Sequence, residues 1–189
     1  MTGRSQVRSL PDPPTVRKIF VHVDGASRGN PGEAAIGVAI LDEKGNLLEE
    51  VSQYIGRATN NVAEYKALIE GIKRAIHYAP EEAIFLTDSE LVANQVNRLF
   101  RTREPHLQYL NDLALQLLSQ LPKWRVNYVE REANSIAHRL AARAFRERTK
   151  EERERAKLQQ EILEALRGLP LDDLRRVLSY VQSLKARSE

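Results

Sequence analysis

The sequence predicts an α/β domain, a five-stranded mixed sheet flanked by helices, followed by a C-terminal helical hairpin. Three observations carry this prediction. Short apolar runs, rich in β-branched residues, alternate with longer stretches whose apolar residues recur at helical spacing, in the order βββαβααβα. The first three strand signals are joined by short turn-rich spacers, which makes them antiparallel neighbours. Beyond residue 146 two apolar stripes flank a Gly-Pro break.

Each element follows from its own residues. Positions 1–17 are polar and contain Pro11, Pro13 and Pro14, the composition of a flexible arm; Arg4, Arg8, Arg17 and Lys18 could touch phosphate, but a plain disordered leader is the expectation. The apolar run Ile19-Phe20-Val21-His22-Val23 predicts a strand over 19–24, and strands over 34–41 and 47–55 bracket the hairpin spacer Asp42-Glu43-Lys44-Gly45-Asn46. Tyr65, Leu68, Ile69, Ile72 and Ile76 form one helical stripe, introduced by Thr59-Asn60-Asn61 and ended by Pro80. A fourth strand is expected over 83–87, then a helix through about Leu99, another over 107–121 stopped by Pro122, and a fifth strand over 125–129, with Trp124 packing beside it. A long helix begins at Ala133, with a core stripe of Ala137, Leu140, Ala141, Ala144 and Phe145. Positions 146–157 are almost all charged with both signs interleaved, a solvated helix laced with i,i+4 pairs. Leu158, Ile162, Leu163 and Leu166 make one stripe, Gly168 and Pro170 break it, and Leu174, Val177, Leu178, Val181 and Leu184 make a second. The expected organisation is an arm over 1–17, a main α/β domain over 18–147 and a helical extension over 148–189. That extension is too small to bury its stripes alone, so it docks on the body or pairs with a second copy as a homodimer, the latter being the expectation.

Composition narrows the function. The 189 residues suffice for one domain and a small appendage, and 42% hydrophobic with 29% charged residues suits a globular protein. There are no cysteines, which excludes disulfides and thiolate metal sites and leaves oxygen or imidazole as ligands. No apolar run approaches the roughly 20 residues of a membrane span and no secretory signal opens the chain, so a cytoplasmic location without membrane contact is expected. The net charge of +3 and pI of 9.2 permit nucleic-acid binding without demanding it, and a defined site must carry recognition.

Three carboxylates stand where strands meet turns or helices: Asp24 after the first strand, Glu64 early in the first helix, and Asp88 after the fourth strand. Each has a local explanation as well. Asp24 suits the start of an Asp-Gly turn, Glu64 a capping box with Asn61, and Asp88 an N-cap. Gathered together they would repel one another, and such a cluster persists where a divalent cation neutralises it. Two hard cations held about 3.5–4 Å apart by carboxylates hydrolyse phosphodiesters.

Asp24 in DGASRGNPG, Glu64 in TNNVAEYKAL, Asp88 in LTDSE and a late REANSIAHRLA occur in order and at spacings that resemble type 1 ribonuclease H, over about two-thirds of the chain. The resemblance implies the ribonuclease H fold and a metal-dependent endonuclease that cuts the RNA strand of RNA/DNA hybrids, leaving 5′-phosphate and 3′-hydroxyl ends. It implies two divalent ions, Mg²⁺ or Mn²⁺, held by Asp24, Glu64 and Asp88, with His138 at a fourth position where the family normally has aspartate. Asn134 and His138 are four apart and share a helix face outside the core stripe. Imidazole ligates Mn²⁺ or Zn²⁺ but suits Mg²⁺ poorly, and it also moves protons near neutral pH. The substrate contacts implied are Gly25, Ser27, Asn30, Asn60, Asn61, Ser89 and Asn134, with Thr59 at a DNA-strand phosphate. Small polar groups of this kind read ribose hydroxyls and base edges in a minor groove. Arg131 stands nearest to the place where many relatives carry a histidine that aids product release. Positions 96–122 lack the lysine- and tryptophan-rich protrusion that some members use to hold substrate. Double-stranded RNA is a second candidate substrate, and a non-catalytic module binding hybrid or double-stranded RNA is the alternative function.

Overall fold

The protein is described from a computed structural model covering residues 17–187; all of the expected arm but Arg17 lies outside the described residues. The elements run β1 (Lys18–Gly29), β2 (Gly32–Asp42), β3 (Leu47–Ala58), α1 (Asn60–His77), β4 (Glu82–Thr87), α2 (Glu90–Val96), α3 (Pro105–Leu118), β5 (Trp124–Tyr128), α4 (Ser135–Leu166) and α5 (Leu171–Ala186). The five strands form one sheet in the order β3-β2-β1-β4-β5. The β1–β2 and β2–β3 pairs are antiparallel. The β1–β4 and β4–β5 pairs are parallel, each reached through helical crossovers. This is the mixed α/β sheet expected, with the C-terminal hairpin formed by α4 and α5. Internal contacts divide the chain into two units, Met1–Arg146 and Glu147–Glu189.

Strand alternation sorts the first unit into two layers. Ile19, Val21 and Val23 of β1 are fully buried and join Leu68 and Ile72 of α1 and Phe85 of β4 in the main core. Each such side chain contributes about 1.5–3 kcal/mol on burial. The opposite face is thinner: Ala26 of β1 and Tyr54 of β3 pack with Ala35, Ala144 and Phe145, which seats the start of α4. The Ser52 hydroxyl donates to the Leu140 carbonyl at 2.8 Å, and Arg143 pairs with Glu50 at 2.5 Å. Because successive residues alternate faces, His22 and Asp24 look toward α4 while Val23 and Gly25 look toward α1.

Several expected boundaries move, each for a local reason. The first strand does not close at Asp24: Gly25 through Gly29 stay paired with Ile36 through Gly32, so the turn falls at Asn30-Pro31 and Asp24 lies mid-strand. The second helix stops at Val96 rather than near Leu99, because Asn97 binds the Val126 carbonyl at 2.8 Å and Arg98 takes a φ of 61°. The third helix is Pro105–Leu118, with Pro105 at its first position, where a missing N–H costs nothing. The helix expected from Ala133 starts at Ser135, because 131–134 form a turn.

In the second unit α4 ends at Leu166, Gly168 reverses the chain at a φ of 80°, and Pro170 caps α5. The charged stretch carries the expected pairs, Arg148–Glu152 at 2.9 Å and Lys157–Glu161 at 3.6 Å, each worth a few tenths of a kcal/mol. Leu166, Leu174 and Val177 are partly covered, and no residue of α5 is buried. No helix among the described residues is long and apolar enough to cross a membrane.

Candidate active site

Asp24 sits in the middle of the sheet, 4% exposed, on the α4-facing side of β1. Glu64 reaches the same place from the other layer. It lies one turn into α1 and is 6% exposed, and its carboxylate accepts the Gly25 backbone N–H at 3.0 Å. Gly25 makes this possible, because a Cβ there would fall 2.2 Å from the backbone carbon of Ala63 and the nitrogen of Glu64. The strand and the helix N-terminus therefore touch through bare backbone, and the contact aims Glu64 beside Asp24.

Glu64 is not the capping-box partner of Asn61. Thr59 is the N-cap, and its hydroxyl accepts the Val62 N–H at 3.3 Å. Asp88 is likewise no N-cap, because Ser89 caps α2 through the Val92 N–H at 3.4 Å. Both carboxylates are thereby released from helix capping.

Asn134 binds the pieces together. Its amide nitrogen donates to the Val23 carbonyl at 2.8 Å and to the Asp88 carboxylate at 2.7 Å. Its amide oxygen lies 3.2 Å from His22 Nδ1, and since that oxygen only accepts, Nδ1 carries the proton. Asn134 is 0% exposed. A substrate cannot reach it, so the expected contact residue is instead a positioning residue for Asp88. Gly25 is corrected in the same way, because it is buried and its N–H is committed to Glu64. His22 belongs to this network and was not singled out from the sequence. Its signal was a polar residue inside an apolar strand, on the same face as Asp24. Burial pushes its imidazole below the ordinary range, against the Asn134 hydrogen bond.

His138 lies one turn into α4, 39% exposed, with Nδ1 3.2 Å from an Asp24 oxygen. Arg131 Nη2 is 3.2 Å from each ring nitrogen. Nδ1 is within hydrogen-bond reach of Asp24, and Arg131 Nη2, equidistant from the two ring nitrogens, lies over the ring and not along one lone pair. Burial pushes the Asp24 carboxyl above its ordinary value, and Asp88 adds to the rise while His138 and Arg131 oppose it. Burial pushes Glu64 well above its ordinary value, with Asp24 and Asp88 adding repulsion and the Gly25 N–H opposing. Like charges thus face one another in a half-dry recess.

This donor set fits a hard divalent cation: three carboxylates, one imidazole and no sulfur. Among the described residues no group of three or more His, Asp or Glu forms a ready-made ion cage. Each carboxylate is held instead by its own donor: Asp24 by His138, Glu64 by Gly25 and Asp88 by Asn134. The mutual repulsion is the stronger indicator of the two, because it needs only proximity and not one particular rotamer.

Around this recess Asn30, Asn60 and Arg131 are exposed. Asn30 Oδ1 accepts the Asn60 N–H at 3.3 Å, which ties the β1–β2 turn to the start of α1. Ser27 donates to the backbone carbonyls of Gly29 and Ala58, the latter at 2.8 Å. Asn61 and Ser89 are partly exposed beside Glu64 and Asp88.

Residues 22–144 match the family described as reverse transcriptase-like. The ribonuclease HI of Halobacterium salinarum is 34% identical over 141 residues, covering 75% of this chain and 71% of that protein. The bifunctional protein Rv2228c of Mycobacterium tuberculosis is 41% identical over 125 residues, covering 66% of this chain, and the match spans only 34% of that relative's length. Among solved structures, RNase H1 from H. salinarum superposes with a TM-score of 0.67 at 36% identity, covering 69% of this chain and 98% of that one. LC11-RNase H1 in complex with RNA/DNA hybrid superposes with a TM-score of 0.66 at 36% identity, covering 69% of this chain and 99% of that one.

Proposed function

Because this chain belongs to the type 1 ribonuclease H family of enzymes, we propose that it is a divalent-metal-dependent endoribonuclease acting on the RNA strand of RNA/DNA hybrids. The observation that carries the reading is the meeting of Asp24, Glu64 and Asp88 from three separate elements, with burial and mutual repulsion raising Asp24 and Glu64. Such a cluster is costly unless something positive joins it.

Asp24, Glu64, Asp88 and His138 would hold Mg²⁺ or Mn²⁺, with Asp24 central because it faces all the others. When bound, the ions supply a more acidic water and charge stabilisation for the leaving 3′ oxygen, which yields 5′-phosphate and 3′-hydroxyl ends. The rest falls to the protein. Gly25 and Asn134 fix the directions of Glu64 and Asp88, so little reorganisation is needed at reaction. His138 orients Asp24, and its outer nitrogen, beside Arg131, is placed to exchange a proton with solvent. Asn30, Asn60 and Arg131 face outward for the duplex, with Thr59, Asn61, Ser27 and Ser89 supporting them at the rim. Neutral amides beside the carboxylates suit ribose 2′-hydroxyls, which would select the RNA strand.

The test is cleavage of end-labelled RNA/DNA hybrid, duplex RNA and duplex DNA in Mg²⁺ and in Mn²⁺, with Asp24→Asn as control. Metal-dependent cuts confined to RNA in the hybrid support the proposal. Binding without turnover in either metal would make this a hybrid-binding module, and cleavage of duplex RNA would widen the substrate class.

A further inference from the structure

The second unit carries a surface that the proposed hydrolase has no use for. In the α4 segment after residue 146 and in α5, Leu158, Ile162, Leu163, Leu171, Leu178 and Val181 are between 42% and 64% exposed. These residues recur at helical spacing, so they form stripes and not isolated surface positions. Beside them an open groove along α4 is lined by Glu151, Glu154, Arg155, Leu158, Gln159 and Ile162, with the two apolar residues at one end.

We infer that this unit is a self-association device, in which the two helices of one chain pack on those of a second copy as a four-helix bundle. Two observations select a second copy as the occupant. The first is size. Six half-exposed large side chains leave roughly 100 Å² each, and with the stems of flanking Arg and Lys the face approaches the roughly 800 Å² per partner of a standard interface. A monomer rarely leaves an apolar patch of that extent in water. The second is the missing core: α5 contains no buried residue, and two helices alone cannot enclose one. A second hairpin supplies a layer of equal width and equal apolar content, and a two-fold axis closes the contact with no apolar face left over.

The inference stands apart from the hydrolase reading, and its experiment reads mass and not activity. Sedimentation velocity on the full chain from 1 to 50 µM should give a species of twice the 21.5 kDa chain mass. The double variant Ile162→Glu/Leu178→Glu should raise the dimer dissociation constant at least about 100-fold, because charges are then forced into the centre of the interface, and should leave the melting transition of the first unit unchanged. Three results would overturn the inference: a native chain that is monomeric at 50 µM, a double variant that stays dimeric, or a double variant whose first unit melts lower. The last would mean that the stripe serves its own chain.

Discussion

Replacing Asn134 with alanine should damage stability and turnover together while sparing substrate affinity. The side chain is 0% exposed and makes three hydrogen bonds, at 2.8 Å to the Val23 carbonyl, 2.7 Å to Asp88 and 3.2 Å to His22. Alanine strands each partner in a place with little water. At about 1 kcal/mol per bond the loss comes to about 3 kcal/mol, a large share of the 5–15 kcal/mol that holds a domain of this size together. The corresponding fall in melting temperature is about 6–12 °C. Asp88 also loses the donor that fixes its direction, so kcat should fall with KM nearly unchanged. Asn134→Asp should be worse, because it sets a fourth carboxylate against Asp88. The checks are thermal unfolding followed by circular dichroism, and steady-state cleavage of hybrid. The exposed Asn30→Ala serves as contrast, expected to raise KM while melting unchanged. If Asn134→Ala melts within a degree of the parent and raises KM alone, it is a substrate contact after all and the positioning argument fails.

Three further outcomes follow from the same geometry. Asp24→Asn should reduce cleavage on the order of 10³-fold or more and yet stabilise the metal-free protein at neutral pH. Its carboxyl is raised in the folded state, so ionisation costs stability as pH rises from about 4 through the folded value. The gain should therefore appear in melts at pH 8 and vanish below pH 4, and equal gains at both pH values would contradict the burial argument. His138→Asp should raise Mg²⁺-supported cleavage and narrow any preference for Mn²⁺, while lowering melting temperature without divalent ions, because a carboxylate then faces Asp24 across about the 3.2 Å that His138 now spans; identical metal titrations would make His138 a spectator. Gly25→Ala should cost about 1–3 kcal/mol in overpacking and about 1.5–3 kcal/mol in the lost hydrogen bond to Glu64, read by urea unfolding, and a loss under 1 kcal/mol would mean that β1 and α1 separate easily.

Much of this molecule was legible in residue order alone. Apolar alternation in Ile19, Val21 and Val23 and the helical stripe of Leu68 and Ile72 report which face is buried, and all five are fully buried. Asp24, Glu64 and Asp88 were legible as a candidate set through the ordered motifs that resemble type 1 ribonuclease H, although Asp24 lies mid-strand and not at a junction. The C-terminal stripes were legible as unpaired for the same reason that they stay exposed: two helices cannot hide them.

What tertiary structure alone decided is which polar group answers which. Asn134 reads as a site-facing residue on the helix face it shares with His138, yet it stands in the turn before α4 and is joined to Val23 and His22 across 111 and 112 residues of chain. Glu64 and Asp88 also admitted a local explanation as a capping-box partner and an N-cap, because sequence spacing offers only local partners. The fold instead gives the capping to Thr59 and Ser89 and turns both carboxylates inward. Periodicity encodes direction relative to a residue's own element. The identity of the group met there depends on how elements dock, which here hangs on Gly25, the residue that lets β1 and α1 touch at the backbone.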